Sequence, residues 1–243
     1  MSKTSQNKEE ICAYLDKKRF KETSIHWQHC LKTMFALVDD EDVIYCKRMR
    51  NKKADLLIKI GDQQRYVCIK DGRSTVIHRE DIFSFVSFLR SLDIDKAICA
   101  TLLFYHFGDG SIKGDGQNRM EVYELKEKYG DYFEEANLAL QEDAVLQTVI
   151  QRSLCGNGKV DYFYFGSPAF GYLCPYQSVV EFLLKKKIHP TTSFYFGPLS
   201  IQPFDRNLGN EKEKEKDRYI VLLKWPGLKE DMKSIATGRL AML

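Results

Sequence analysis

The chain has 243 residues, with 37 Lys and Arg against 34 Asp and Glu, so its formal net charge is +3 with histidine neutral. Hydrophobic residues make up 44%, charged residues 29% and aromatic residues 12%, with too many aromatics and too little net charge for a disordered chain. No apolar run approaches the length of about 18 residues that a membrane-spanning helix needs, and residues 1–10 are too polar for a signal peptide, so the default expectation is a cytoplasmic protein with no membrane partner.

The first elements expected are helices. Residues 6–20 place Ile11, Cys12 and Leu15 on one face, and residues 25–38 do the same with Ile25, Leu31, Phe35 and Val38. The period then changes. Residues 43–48, 54–60 and 65–70 are short and rich in β-branched and aromatic residues, as strands are. Between the last two, Gly61-Asp62-Gln63-Gln64 reads as a hairpin loop. After Asp71-Gly72 a helix is expected, capped by Ser74 or Thr75, with Ile82, Phe85 or Val86, Leu89 and Leu92 inward. Residues 96–107 are apolar and fit strand or helix, and residues 109–118 are a loop. Residues 120–153 read as helical with a break near Tyr129-Gly130-Asp131. A strand is expected at 161–165, a helix at 178–186, a hairpin at 193–196 and 199–202 around Gly197-Pro198, and a last strand at 219–225.

No internal repeat or linker is visible. The low-complexity segment Glu211–Arg218 alternates in sign and reads as a solvated loop or helix face. A single domain over residues 1–243 is therefore expected, of mixed α/β (α+β) class. Seven cysteines, at 12, 30, 46, 68, 99, 155 and 174, form no CxxC, which excludes a zinc ribbon and favours free thiols. His26 and His29 lack a third ligand for zinc, and no phosphate-binding GxxxxGK loop or GxSxG serine-hydrolase motif occurs. A pI near 8.3 permits a polyanionic partner without requiring one.

The segment that carries chemistry runs from Lys53-Ala54-Asp55 to Tyr66-Val67-Cys68-Ile69-Lys70. Side chains alternate along a strand, so Cys68 and Lys70 face the same way. If the two strands are antiparallel neighbours, Asp55 reaches the same end of the same face. A carboxylate there can bind a hard cation such as Mg²⁺, with the Ile69 carbonyl as a further ligand. Such a metal polarises a phosphate and lowers the pKa of an attacking water, while the Lys70 ammonium orients that water or stabilises charge on phosphorus.

The spacing Asp-x₁₂-Cys-x-Lys resembles the signature of the PD-(D/E)xK nucleases. Most of the chain is similar to the small type II restriction endonucleases that cut four-base GCGC and CCGG sites. Asn7-Lys8-Glu9-Glu10-Ile11 resembles their NEKDI segment, and Ile69-Lys70 through Glu80 their VK, loop and helix. Arg119-Met120 resembles their RRM, residues 193–202 their INFGRVTIQ strand pair, and residues 219–225 their closing LQFKID strand. The resemblance implies a restriction-endonuclease-like central mixed sheet flanked by helices, with a C-terminal β lobe. It implies a catalytic core over residues 1–130 and a DNA-recognition lobe over 150–243. The activity implied is Mg²⁺-dependent, sequence-specific cleavage of double-stranded DNA in restriction or genome defence. Asp55, Cys68 and Lys70 are then the catalytic constellation, with Asp55 and Ile69 as metal ligands. A homodimer on a palindromic site and a companion DNA methyltransferase are the implied partners.

Two departures stand out. The acid position holds Cys68, and sulfur is a poor ligand for Mg²⁺. In those relatives the position is often neutral, Gln or Asn. A replacement acid could come from Asp71, Glu80, Asp81, Glu9 or Glu10, of which Glu80 and Glu10 are the candidates preferred. The basic RKGG of the relatives is replaced here by Pro203-Phe204-Asp205-Arg206-Asn207, which implies a different specificity. Gln202, Arg206, Asn207 and Arg218 offer the chemistry that reads base edges. Lys185 and Lys186, with Lys187 and His189, suit phosphate contact. Arg48, Arg50, Lys52 and Lys53 crowd the approach to Asp55. The alternative reading is a DNA-binding protein that keeps the fold and has lost the chemistry through Cys68.

Overall fold

The computed structural model describes residues 3–50, 53–72, 74–115, 119–186, 193–204 and 215–238. In chain order the helices are α1 Lys3–Leu15, α2 Ile25–Met34, α3 Ile82–Arg90, α4 Lys96–Phe107, α5 Val122–Ala139, α6 Asp143–Cys155, α7 Tyr176–Lys185, α8 Glu215–Arg218 and α9 Leu228–Ala236. The strands are β1 Ile44–Arg48, β2 Leu56–Ile60, β3 Gln63–Lys70, β4 Val76–Asp81, β5 Tyr162–Gly166, β6 Gly171–Pro175, β7 Tyr195–Phe196, β8 Leu199–Pro203 and β9 Ile220–Lys224. They form two compact units. One comprises Met1–Thr75, Leu154–Phe182 and Gly227–Leu243, the other Val76–Ser153 and Leu183–Pro226.

The first unit is built on a five-stranded sheet in the order β1-β2-β3-β5-β6. β3 and β5 run parallel and the other neighbours antiparallel, so the sheet is mixed, as expected. The β2–β3 hairpin turns through Gly61 and Asp62, and Gly61 supplies the positive φ of +54° that the tight turn needs. Alternation then sets the faces. Ile44, Cys46, Leu56, Ile58, Ile60, Val67 and Ile69 are buried in one core with Ile11 and Leu15 of α1 and Trp27, Cys30 and Leu31 of α2. Each large side chain removed from water here contributes about 1.5–3 kcal/mol. Ser24 caps α2 by accepting from the Trp27 N–H. α2 stops at Met34, short of the expected 38, and Ile25 is exposed rather than inward because it opens the first turn. α9, not anticipated from the sequence, lies against β6, where the Cys174 thiol donates to the Met232 carbonyl at 3.4 Å.

The second unit carries a four-stranded antiparallel sheet in the order β4-β9-β8-β7. β7, β8 and β9 are the expected C-terminal strands, and they recruit β4 from the middle of the chain. Residues 74–81 were expected to open a helix, but 76–81 pair with β9 as a strand. Asp81 rather than Ser74 or Thr75 caps the following helix, its carboxylate accepting from the Ser84 N–H at 2.9 Å. Ile82, Phe85 and Leu89 are buried as expected. α5 continues through Gly130, where an added Cβ would meet only the Lys126 side chain, and the break falls after Ala139. The two units do not divide at residues 130–150. The sheet that carries Asp55 and Lys70 is completed by β5 and β6, which lie within 162–175. Among the described residues no helix is long and apolar enough to cross a membrane.

Candidate active site

The β2–β3 hairpin brings the two ends of the expected constellation together. Asp55 precedes β2 and Lys70 closes β3. The ladder pairs Leu56 with Val67, yet the Asp55 N–H also donates to the Val67 carbonyl at 2.9 Å. The Asp55 N–H thus reaches a carbonyl one step out of the ladder register, just ahead of β2. The Asp55 carboxylate takes the place of a ladder carbonyl, with Oδ2 accepting from the Ile69 N–H at 2.8 Å. A strand residue directs its N–H and C=O to the same neighbour, so the Ile69 carbonyl also lies on the side of Asp55. Lys70, two residues after Cys68, shares that residue's face, and its charge acts on the thiol.

Helix α1 supplies the other half of the site. The Lys8 ammonium donates to Asp55 Oδ1 at 2.6 Å, and the two side chains are only 20% and 13% exposed. Arg48 of β1 donates from Nε to Glu9 at 3.0 Å and from Nη1 to the Asp55 carbonyl at 3.1 Å. Buried Asn7 donates to the Gly166 carbonyl at 2.9 Å, which ties α1 to the end of β5. Lys8 was not singled out from the sequence. Its signal was there: Lys8, Ile11 and Leu15 follow the i, i+3, i+7 spacing of one helix face, so a lysine stands on an inward apolar stripe.

Cys68 is buried, and burial is the main cause that pushes its thiol up to about 11. The positive charge of Lys70 opposes this and the negative charge of Asp55 adds to it, with Lys8 and Lys53 acting as Lys70 does. The thiol is therefore neutral near pH 7 and adds no ligand for a hard cation. Among the described residues no group of three or more His, Cys, Asp and Glu is arranged to hold a metal ion. One carboxylate and one carbonyl fit the sparser kind of Mg²⁺ site, in which the cation keeps most of its water and takes further oxygens from a substrate phosphate.

The remaining candidates have other surroundings. Glu10 sits on the exposed side of α1 and accepts from Gln6 at 2.9 Å. It is about 200° round the helix from Lys8, so the turn that aims Lys8 at Asp55 aims Glu10 at solvent. Glu80 belongs to the second unit, where its carboxylate takes Arg152 at 2.7 and 3.2 Å and His78 at 2.5 Å. Arg218 forms an ion pair with Asp109 at 2.6 Å, and the Asp109 side chain is wholly buried. That geometry engages the guanidinium with a buried carboxylate. Gln202 is half-buried and accepts from Lys224 at 2.8 Å. Lys185 is exposed and Lys186 half-buried at the end of α7. Asp71 is half-buried beside Lys70. Arg206, Asn207, Lys187 and His189 lie outside the described residues.

No family model and no curated protein matches the chain. A search of solved structures finds similarity to the crystal structure of the restriction endonuclease MspI in complex with its cognate DNA. The likeness covers 82% of this chain and 76% of that one at 12% identity, with a TM-score of 0.37.

Proposed function

We propose that the chain is a Mg²⁺-dependent nuclease that cuts double-stranded DNA at a defined sequence. The observation that carries this reading is the bond between the Asp55 carboxylate and the Ile69 N–H at 2.8 Å. It draws one carboxylate, one carbonyl edge and the Lys70 strand end to a single corner of the mixed sheet. Asp55 and the Ile69 carbonyl would hold the cation, which when bound polarises the phosphate and acidifies the attacking water. Lys70 supplies a compact positive charge that orients that water and offsets charge gathering on the phosphate oxygens. Lys8, Lys53 and Arg48 make the approach basic and draw the DNA backbone inward. Lys185 and Lys186 would add phosphate contacts, with Gln202 and the segment holding Arg206 and Asn207 reading bases. A homodimer would match a palindromic site, and a companion methyltransferase would protect the host genome.

The test is incubation of the full chain with long unmethylated DNA, in Mg²⁺ and in EDTA, beside Asp55→Ala and Lys70→Ala. Discrete fragments that need Mg²⁺ and vanish in both variants are expected. Intact DNA under every condition refutes the cleavage reading. A second reading, a DNA-binding protein without cleavage, is favoured by one observation: the acid position holds a buried neutral thiol. It predicts a gel shift that weakens steeply with salt while the DNA stays whole.

A further inference from the structure

We infer that Lys8 is a gate on the Asp55 site: with no nucleic acid bound, its ammonium occupies the carboxylate oxygen that a cation needs, and the phosphate backbone must draw it away before the cation enters. The inference rests on the proposed nuclease reading and adds an order of binding to it, nucleic acid first and metal second.

The geometry closes the alternatives one by one. Lys8 Nζ lies 2.6 Å from Asp55 Oδ1, and both side chains are largely shielded from water, so the pair is screened less than an exposed one. The carboxylate cannot rotate to offer a fresh oxygen, because Oδ2 is anchored to the Ile69 N–H at 2.8 Å. The nearest groups of α1 and β3 do not relieve it. Glu9 is held by Arg48 at 3.0 Å, Glu10 faces solvent with Gln6, and Cys68 is a buried thiol. A divalent cation approaching this carboxylate therefore meets an ammonium in its place. The positive charges of Lys70, Lys8 and Lys53 all reach Cys68 beside it, opposed there by Asp55, so several ammonium groups already compete for the carboxylate's neighbourhood. A DNA phosphate reverses that balance. Lysine is a point charge on a flexible stem, and it can swing from Asp55 to a phosphate oxygen, leaving Oδ1 to the metal. Because binding free energies couple reciprocally, DNA must then tighten the metal and the metal must tighten DNA.

The experiment measures Mn²⁺ binding to the full chain by the loss of the free-ion electron paramagnetic resonance signal. It is run with and without a phosphorothioate duplex that resists cleavage, with the ion bound by duplex alone subtracted. The proteins are wild type, Lys8→Gln, Lys8→Arg and Asp55→Asn, each checked for folding by circular dichroism. Without duplex, Lys8→Gln is expected to bind Mn²⁺ about tenfold more tightly than wild type, and Lys8→Arg to stay close to wild type. Duplex should tighten wild type by a similar factor and Lys8→Gln hardly at all. Equal affinity of wild type and Lys8→Gln without duplex, with Asp55→Asn not binding, overturns the gate and leaves the metal site standing. Mn²⁺ binding to Asp55→Asn as tight as to wild type, or no binding to any protein in either condition, overturns the metal site and the gate with it.

Discussion

Replacing Glu80 with Gln separates a structural carboxylate from a catalytic one. Glu80 is 12% exposed, and its two oxygens take Arg152 at 2.7 and 3.2 Å and His78 at 2.5 Å. Arg152 in turn lies over the Phe88 ring, 4.3 Å from its centroid, which fixes the guanidinium. Burial alone would raise the Glu80 pKa. The hydrogen bonds from His78 and Arg152 and their charges outweigh it and hold the carboxyl at about 2, against an ordinary 4.5. That drop corresponds to about 3 kcal/mol in favour of the ionised form. Because the folded-state pKa is depressed, the stabilisation is complete above 4.5 and is lost as pH falls through about 2. Urea unfolding of Glu80→Gln should therefore show a loss of about 3 kcal/mol near pH 7 and about half of that near pH 3. DNA cleavage by the folded variant should be unaffected. Unchanged stability near pH 7 together with lost cleavage would refute this reasoning and return Glu80 to the chemistry. An equal loss at both pH values would assign the effect to amide packing instead of charge.

The thiols should differ sharply in reactivity. Cys12 is half-exposed and its pKa is lowered, chiefly by its hydrogen bond with Cys46, whereas Cys68 is buried and pushed up to about 11. With iodoacetamide near pH 8, mass spectrometry should find Cys12 alkylated and Cys68 untouched until the protein unfolds; equal rates would contradict the burial of the strand. Gly166 has φ +149°, and a Cβ there would lie 2.3 Å from the Phe170 carbonyl oxygen and 2.5 Å from the Gly171 Cα. Gly166→Ala should cost about 3 kcal/mol, since backbone cannot yield as a side chain does. Gly61→Ala, where a Cβ meets nothing within 4 Å, should cost about 1 kcal/mol from its positive φ alone. Similar losses for the two in urea unfolding would show that the clash is relieved elsewhere.

The parts of the fold that were legible are those set locally. The β1–β2–β3 meander follows from alternation and a Gly-Asp turn, and α7 from its apolar stripe, whereas residues 96–107 fitted strand or helix alike and form α4. The elements that depart from local pattern have a different cause. β4 was absorbed into a helix because Val76–Asp81 gains its strand conformation from pairing with β9, whose first residue lies 139 positions after Asp81 (220 − 81). Propensity yields to such pairing. Gly130 suggests a break, but a glycine in a helix interior costs only about 1 kcal/mol against alanine, and Phe133 and Ala136 of the same helix are buried. That burial decides the matter.

The site divides along the same line. Asp55 and Lys70 could be placed together because a hairpin fixes its own register, and the short separation between them leaves little freedom. The out-of-step bond from Asp55 to Val67 was not legible, since a single hydrogen bond leaves no mark in composition. Lys8 meets Asp55 across 47 residues, and only the docking of α1 on the sheet decides which helix residue faces the carboxylate. From spacing alone, Glu10 is the expected second acid of α1. The helix instead delivers a lysine, because Ile11 and Leu15 must be buried and their stripe carries Lys8 with it. The core thus chooses the charge presented to the site. Shifting that choice should be possible without disturbing the core: Lys8→Glu would place a second carboxylate beside Asp55, and the same docking would then build a cation site where an ion pair now stands.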